Sequence, residues 1–165
     1  AVNALKSGRQ PELYAPMETG PEVDLQAPAL IPEDYLPDIH ARLVLYKRIA
    51  SADTHEDLRA LQIEMIDRFG LLPEPVKTLF SVAELKQQAE QLGIKKIEAN
   101  AGGGRIVFSH EPKIDAARLI ELIQTQAQVY KFDGADKLRF IKPFKETEEK
   151  LEFIEALLKQ LTPEG

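Results

Sequence analysis

Apolar residues recur every three or four positions through the first half of the chain, in three consecutive segments. These segments run over residues 35–50, 58–69 and 76–92. A spacing of three to four residues places the apolar side chains on one face of an α-helix. The pattern therefore predicts three amphipathic helices in a row, which would form a small helical layer.

Proline, glycine and capping residues indicate where these helices begin and end. The first helix is expected to begin at Pro32, with Pro37 in its first turn, where no intrahelical N–H is lost. Thr54 is placed to cap the second helix, and Gly70 is placed to end it. Gly93 ends the third helix in the same way, so short connections are expected between the helices.

The pattern changes in the second half of the chain, where apolar and polar residues alternate. Alternation predicts half-buried strands, and it covers the segments 94–101, 105–110, 129–132 and 137–141. Helical spacing returns after Asp115 and again near Thr147. The expected fold is therefore α+β, with three N-terminal helices followed by a β-β-α-β-β-α unit that has a small, mainly antiparallel sheet.

The composition is that of one globular domain with an extension. The chain has 165 residues, of which 44% are hydrophobic and 29% are charged, enough for an independent core. Six of the 11 prolines lie between positions 11 and 37, which forbids a long helix there and indicates an extended linker. We therefore divide the chain into a linker or tether (residues 1–20) and a folded domain (residues 21–165).

Several kinds of chemistry are missing from the sequence. The chain has no cysteine, which excludes disulfides and thiolate metal sites. No apolar run approaches the roughly 20 residues that span a membrane, so no membrane partner is expected and a cytoplasmic location fits. His40, His55 and His110 lie on separate predicted elements without the spacing of metal ligands. We expect no catalytic residue, no cofactor site and no metal site in this chain.

The segment "NAGGGRIVF" (100–108) is the natural candidate for nucleotide binding. Glycine-rich loops bind phosphate where they lead from a strand into the N-terminus of a helix. The best-known form also needs Lys and then Ser or Thr after the last glycine. Gly104 is instead followed by a strand pattern, and no such pair follows it. The segment is therefore expected to be the turn of a β-hairpin.

Charge argues against a nucleic-acid-binding module that acts through the whole domain, since the net charge is −6. The charge is uneven: residues 1–93 hold 15 acidic and 9 basic side chains, and residues 94–163 hold 11 and 12. The last predicted hairpin interleaves basic and aromatic side chains, namely Tyr130, Phe132, Lys137, Arg139 and Lys142. This pattern fits either weak nucleic-acid contact or the solvated face of a half-buried strand.

The second helix has a core face and a charged face. At about 100° per residue, four apolar side chains fall together on one side, namely Leu58, Leu61, Met65 and Phe69. The opposite side carries Glu56, Asp57, Ala60, Glu64 and Asp67, with Ile63 at its edge. An acidic stripe is typical of a solvated helix, whereas an exposed isoleucine beside it favours a protein-binding face. Both interpretations stay open at this level.

Four segments of the chain are together typical of one family. They are "ARLVLYKRIASA" (41–52), "DRFGLLPEPVKTLF" (67–80), "LGIKKIE" (92–98) and "KLRFIKPF" (137–144). In this order they resemble the C-terminal domain of bacterial transcription-repair coupling factors, over about residues 21–161. The Asp-Arg-Phe-Gly-x-Leu-Pro-x-Pro run is the most specific part, and "AVNALKSGR" (1–9) resembles the end of the translocase region upstream in that family.

The resemblance implies that the chain is a C-terminal fragment of a much larger protein. This would account for the missing initiator methionine and for a tether from an upstream translocase region. The parent would be an ATP-dependent translocase on double-stranded DNA that displaces stalled RNA polymerase and recruits nucleotide-excision repair through UvrA. ATP and magnesium would bind to the upstream motor, whose motifs this chain lacks.

The resemblance also implies a regulatory role without catalysis. The domain would pack on the N-terminal UvrB-like module of the same protein and hide the UvrA-binding surface. The helix that ends in the Asp-Arg-Phe-Gly run is implied in this contact, which by position indicates Glu64, with Asp67 and Arg68 beside it. Asp57 and Ile63, on the same side of the helix, complete the candidate partner-binding set. The alternative is a weak nucleic-acid contact through the basic C-terminal hairpin.

Overall fold

The computed structural model describes residues 20–163, so almost all of the predicted linker lies outside the described part of the chain. The elements in chain order are β1 (Glu22–Asp24), α1 (Ile39–Ser51), α2 (His55–Phe69), α3 (Glu74–Leu92), β2 (Ile94–Asn100), β3 (Gly103–Phe108), α4 (Ala116–Thr125), β4 (Tyr130–Phe132), β5 (Lys137–Ile141) and α5 (Thr147–Leu161).

The five described strands form one sheet in the order β1-β2-β3-β5-β4. β1 runs parallel to β2 and the other neighbouring pairs are antiparallel, which confirms an α+β fold with a mainly antiparallel sheet. The predicted order is wrong at one point, because β1 precedes the three helices. This strand has only three residues, too few to show alternation, and its partner follows in the sequence only after α3.

The first helix begins later than the sequence pattern predicts. It begins at Ile39, not at Pro32, and the side chain of Asp38 accepts a hydrogen bond from the backbone N–H of His40 (3.1 Å). The physical reason is Pro37, because a proline disfavours helical backbone angles in the residue before it, here Leu36. The helix can therefore start only after the proline.

The second helix has the predicted limits. The hydroxyl of Thr54 accepts a hydrogen bond from the backbone N–H of Asp57 (3.0 Å), which caps the N-terminus. Gly70 ends the helix with a φ of 101°, a backbone angle that glycine adopts without steric cost. These two residues set the ends of α2, and the apolar stripe of Leu58, Leu61 and Met65 turns one face of the helix to the core.

The glycine segment forms the predicted hairpin between β2 and β3, with residues 101 and 102 as the turn. The other two glycines lie inside β3, which the sequence pattern did not predict. Gly103 has a φ of 139°, and a Cβ atom there would lie 2.1 Å from the backbone oxygen of Phe140. A glycine is therefore required here by the close approach of β5 as well as by the positive φ.

Two clusters of buried apolar side chains stabilise the fold. One lies between α1, α2 and the first half of α3, around Leu58, Met65 and Phe80. The other lies between the sheet and the helices α3, α4 and α5, around Ile106 and Leu158. The 19-residue helix α3 contributes to both clusters, with Val76, Leu79 and Phe80 in the first and Leu85, Ala89 and Leu92 in the second.

The sheet is covered by helices on one face only. Along β3 and β5 the side chains of Ile106, Leu138 and Phe140 are buried, whereas Arg105 and Arg139 on the other face are exposed. No described element packs on this second face, which we call the open sheet face. At its edge the ammonium of Lys150 in α5 donates a hydrogen bond to the carbonyl of Leu25 (2.8 Å), which holds the end of β1 in place.

Candidate partner-binding site

Glu64 lies in the groove between α1 and α2, where two arginines bind its carboxylate. Arg48 of α1 donates two hydrogen bonds, from Nη1 to Oε2 and from Nη2 to Oε1, both at 2.7 Å. Arg68, one turn further along α2, donates from Nη1 to Oε2 at 3.1 Å. The two parallel bonds from Arg48 are the bidentate arrangement that makes arginine–carboxylate pairs specific in geometry.

The arginines change the acidity of Glu64. The hydrogen bonds from Arg48 have the largest effect, and together with the hydrogen bond from Arg68 they lower the pKa of the carboxyl from 4.5 to about 2. Desolvation opposes them and is the second-largest effect. The same contact raises the pKa of Arg48. Glu64 is therefore ionised throughout the physiological range, and the three side chains together carry one net positive charge.

Apolar side chains are exposed near this ion network. Val44 on α1 is 42% exposed and lines a cleft together with Arg48 and Arg68. On α2, Ile63 is 54% exposed and adjoins Glu64 in the sequence, whereas Ile66, 40% exposed, lies toward the other side of the helix. Two shallow clefts adjoin the network. One has a volume of about 400 Å³ and includes Asp57 in its lining, and the other has about 180 Å³ and includes Val44. The surface thus combines fixed charges with accessible apolar area, as protein-binding surfaces do.

The structure brings together only part of the predicted set. Glu64 and Arg68 are in direct contact, and Asp57 lines the same cleft as Glu64. Asp67 and Ile63 are exposed on α2 but are outside the ion network. The periodicity of α2 predicted that Glu64 faces away from the core, and this is correct. The carboxylate is, however, already ion-paired with two arginines of the same chain.

Sequence reasoning missed Arg48, which makes the closest contact to Glu64. The two residues lie on different helices, 16 positions apart, and no local pattern connects them. The contact between Glu64 and Arg68 was easier to predict from the sequence, because residues four positions apart on a helix are neighbours. The packing of α1 against α2 is what makes the second arginine part of the site.

The residues of the alternative nucleic-acid site are spread over different surfaces. Lys137 and Arg139 lie on the open sheet face, but Tyr130 is only 4% exposed and packs in the core, so its ring has no face free for a base. Lys142 lies over the ring of Phe153, 5.9 Å from the centroid, beyond the end of β5. Phe132 is exposed near the sheet edge. The predicted surface of stacked aromatics and basic residues is therefore not formed as one unit.

The remaining candidates for chemistry are dispersed. His55 contacts Glu84 (Nδ1 to Oε1, 3.0 Å). His40 is exposed on α1, and His110 is exposed in the loop after β3, because that strand ends at Phe108 and not at residue 110 as predicted. Among residues 20–163, no group of three or more histidine, aspartate or glutamate side chains is arranged to hold a metal ion. Within the same range, no helix has the length and hydrophobicity to cross a membrane.

The fold and the site define the class of protein: an α+β domain with a helical layer, a sheet open on one face, and an ion network on an exposed helical groove. A family model described as "TRCF domain" matches residues 25–119. The chain belongs to this family, the transcription-repair coupling factors, as the four sequence segments predicted.

Curated relatives agree with the family assignment. The transcription-repair-coupling factor of Escherichia coli (strain K12) is 45% identical over 161 residues, and that of Haemophilus influenzae (strain ATCC 51907 / DSM 11121 / KW20 / Rd) is 42% identical over 161 residues. Each match covers 98% of this chain but 14% of the relative. The chain therefore spans about one seventh of the length of these relatives.

A solved structure shows the same fold. It is described as the crystal structure of the C-terminal domain of a transcription-repair coupling factor, and it superposes with a TM-score of 0.70 at 25% identity. The superposition covers 86% of this chain and 94% of that chain. This chain is thus a coupling-factor C-terminal domain, and the prediction of its family and fold class is confirmed.

Proposed function

We propose that this domain is a non-catalytic, autoinhibitory interaction domain of a transcription-repair coupling factor. It packs on the N-terminal UvrB-like module of the same protein and masks the surface that binds UvrA. The observation that carries the proposal is the Arg48–Glu64–Arg68 network, which lies on an accessible helical groove beside exposed apolar side chains.

The network suits a contact that must form and release. The side chain of Glu64 is 34% exposed, so one of its oxygens can accept a hydrogen bond from an arginine or lysine of the partner. Arg48 and Arg68 already bind this carboxylate and would compete with the partner's cation for it. The binding free energy gained when the domain docks on the module is therefore small. Exposed ion pairs contribute little individually, so the closed state is held by a few such pairs and by apolar contact with Ile63.

Release follows from the same balance. A ligand opens the contact only to the extent that it binds the open state more tightly than the closed state. We propose UvrA recruitment and engagement with RNA polymerase as the processes that favour the open state. A weak contact lets a modest difference in binding free energy shift the equilibrium.

The functions of the complete parent lie outside this chain and belong to the proposal. The parent is proposed to be an ATP-dependent translocase on double-stranded DNA, with ATP and magnesium in an upstream motor and no cofactor in this domain. Residues 1–20 are proposed as the tether to that motor, residues 21–165 as the regulatory domain, and the cytoplasm as the location. The relatives are named transcription-repair-coupling factors, and this supports a role in DNA repair.

Binding in trans tests the proposal. The 165-residue chain is titrated with the separately expressed UvrB-like module of its parent at low salt, and binding is measured by calorimetry. Glu64→Lys places a third cation beside Arg48 and Arg68, and it should weaken binding by about tenfold or more, while Glu64→Gln should have an intermediate effect. Added salt should weaken binding by the wild-type chain.

The matched control is Glu121→Lys on α4. It makes the same charge change at another exposed carboxylate that contacts an arginine, Arg118, at 3.6 Å. Binding by this variant should stay within about twofold of wild type, because a surface charge outside the interface contributes little. The proposal fails if Glu64→Lys binds the module as wild type does and leaves UvrA recruitment by the full-length protein unchanged.

A further inference from the structure

The open sheet face carries a row of like charges in direct cross-strand register. Arg105 of β3 lies opposite Arg139 of β5, and Arg139 lies opposite Lys131 of β4. Lys137 lies two residues before Arg139 on the same face. Like charges directly opposite each other on neighbouring strands are destabilising, so the fold by itself does not account for this row.

Among residues 20–163, only the Arg105 end of the row is neutralised by an ion pair. Arg105 donates a hydrogen bond from Nε to Glu98 (2.7 Å), and this contact lowers the pKa of the Glu98 carboxyl. Arg139, Lys131 and Lys137 make no ion pair with any residue between 20 and 163. The positive charge at the β5–β4 end is therefore available to a ligand.

A cleft of about 650 Å³ adjoins this row. Its lining includes the glycines at positions 102–104 and Asp24, Glu98 and Asp133. Arg139 and Ile141 line one side, and Ile141 is 40% exposed. The cleft thus offers an exposed apolar side chain and, two positions away on β5, a guanidinium that has no ion pair within residues 20–163.

We propose that the open sheet face binds an acidic peptide segment of a partner protein, with carboxylates on Arg139 and Lys131 and an apolar side chain on Ile141. Charge complementarity carries this assignment. Neighbouring strands are about 4.8 Å apart, so the cationic row is only about 10 Å wide, which fits one extended peptide. This surface lies on the sheet and is independent of the helical groove of the proposed function.

The surroundings of the row favour a peptide over a nucleic acid. Glu98 lies beyond Arg105 on one side, Asp133 follows β4 on the other, and both line the cleft. Nucleic-acid binding by charge requires contacts to many successive phosphates, which these carboxylates would repel. A peptide with a few acidic residues needs only the two or three cations present.

The test titrates the 165-residue chain at low salt with a fluorescein-labelled decapeptide that carries three glutamates and one leucine among glycines and serines, measured by fluorescence anisotropy. Arg139→Glu should weaken binding by about five- to tenfold, because it removes one cation and adds a repulsive charge. In an NMR titration of the wild-type chain, amide shifts should concentrate in residues 103–107 and 137–141. The spectrum of the variant also reports whether it is folded.

The matched control is Lys113→Glu, the same change of charge at an exposed lysine in the loop before α4. It should leave binding of the acidic decapeptide within about twofold of wild type, as expected for a distant surface charge. An equal loss in both variants would show attraction by overall charge and would overturn the proposal. Absence of peptide binding would also overturn it. The same holds if labelled decathymidylate binds more tightly than the peptide and Arg139→Glu weakens that binding, because this result would assign the face to nucleic acid.

Discussion

Glu64 links one surface contact to the acid stability of the whole domain. Its pKa is lowered to about 2 in the folded chain from its usual 4.5, first by Arg48 and then by Arg68. The folded state therefore binds this proton less readily than the unfolded state. Its contribution to stability is complete above about pH 4.5 and is lost as the pH falls toward 2.

Glu64→Gln should flatten the acid dependence of stability. We expect the variant to be less stable than wild type at about pH 6, with the difference shrinking as the pH approaches about 3. Urea unfolding followed by circular dichroism at a series of pH values measures this directly. Glu121→Gln, whose carboxylate makes one longer contact to Arg118, is the control. A constant difference between Glu64→Gln and wild type across this range would contradict the assignment.

Gly103 should tolerate no side chain. Alanine there combines a positive φ with a Cβ atom 2.1 Å from a backbone oxygen, so we expect a loss of roughly 3 kcal/mol or more in the free energy of unfolding. Gly102→Ala is the control, because the nearest atom to its Cβ would be 3.7 Å away. Its expected effect is within about 0.5 kcal/mol. If chemical denaturation shows the same loss in the free energy of unfolding for both glycine variants, the close approach of β5 to Gly103 is contradicted.

Single residues show where the sequence was informative and where it was not. Local geometry indicated the glycine turn, the cap at Thr54 and the solvent side of α2. Arg48 was not predictable, because its contact depends on how two helices pack. The cationic row was equally hidden, since Arg105, Arg139 and Lys131 become neighbours only through strand register.

Helix α2 depends on its N-terminal cap. Thr54→Ala removes the acceptor for the N–H of Asp57 and should cost about 1 kcal/mol of stability. Thr78→Ala is a matched control inside α3, where the hydroxyl donates to the carbonyl of Glu74. Alanine is the better helix former there, so the expected change is within about 0.5 kcal/mol or slightly stabilising. The change in Tm relative to wild type, measured by thermal unfolding, should therefore differ in sign or size between the two variants. Equal destabilisation of both would argue against the cap.

The helices were predictable as elements because each carries a long apolar stripe and a clear stop signal. Prediction was wrong where one residue overrides the periodicity, as Pro37 does at the start of α1. The sequence did not predict β1, because a three-residue segment is too short to show alternation. It is a strand because it pairs with β2, which is distant in the sequence. The predicted sheet class was still right, because the other four described strands were predicted as two antiparallel hairpins, β2 with β3 and β4 with β5.

At the scale of the molecule, α3 should make the two apolar clusters unfold together. Phe80→Ala empties a buried position in the first cluster and should destabilise the chain by about 3–5 kcal/mol. Because α3 runs without interruption into the second cluster, amides of β2 and β3 should lose protection by the same amount as those of α2. Native-state hydrogen exchange measures both sets.

Leu158→Ala provides the reciprocal experiment from the second cluster, with an expected loss of about 2–5 kcal/mol. The slowest amides of α2 should again follow those of the sheet. If either substitution leaves the opposite cluster with wild-type protection, the domain consists of two independent folding units and α3 does not couple them.

The parallel strand at the sheet edge has a consequence for biosynthesis. β1 leaves the ribosome first, but its pairing partner begins at Ile94, about seventy residues later and after all three helices. Closing so long a loop costs conformational entropy, so local helical contacts form sooner. During translation the helical layer is therefore complete before β1 docks, and the lysine that ties down its end, Lys150, arrives later still. Among the described strands, the first to be made therefore has to wait for a partner strand and for a lysine that are both synthesised later.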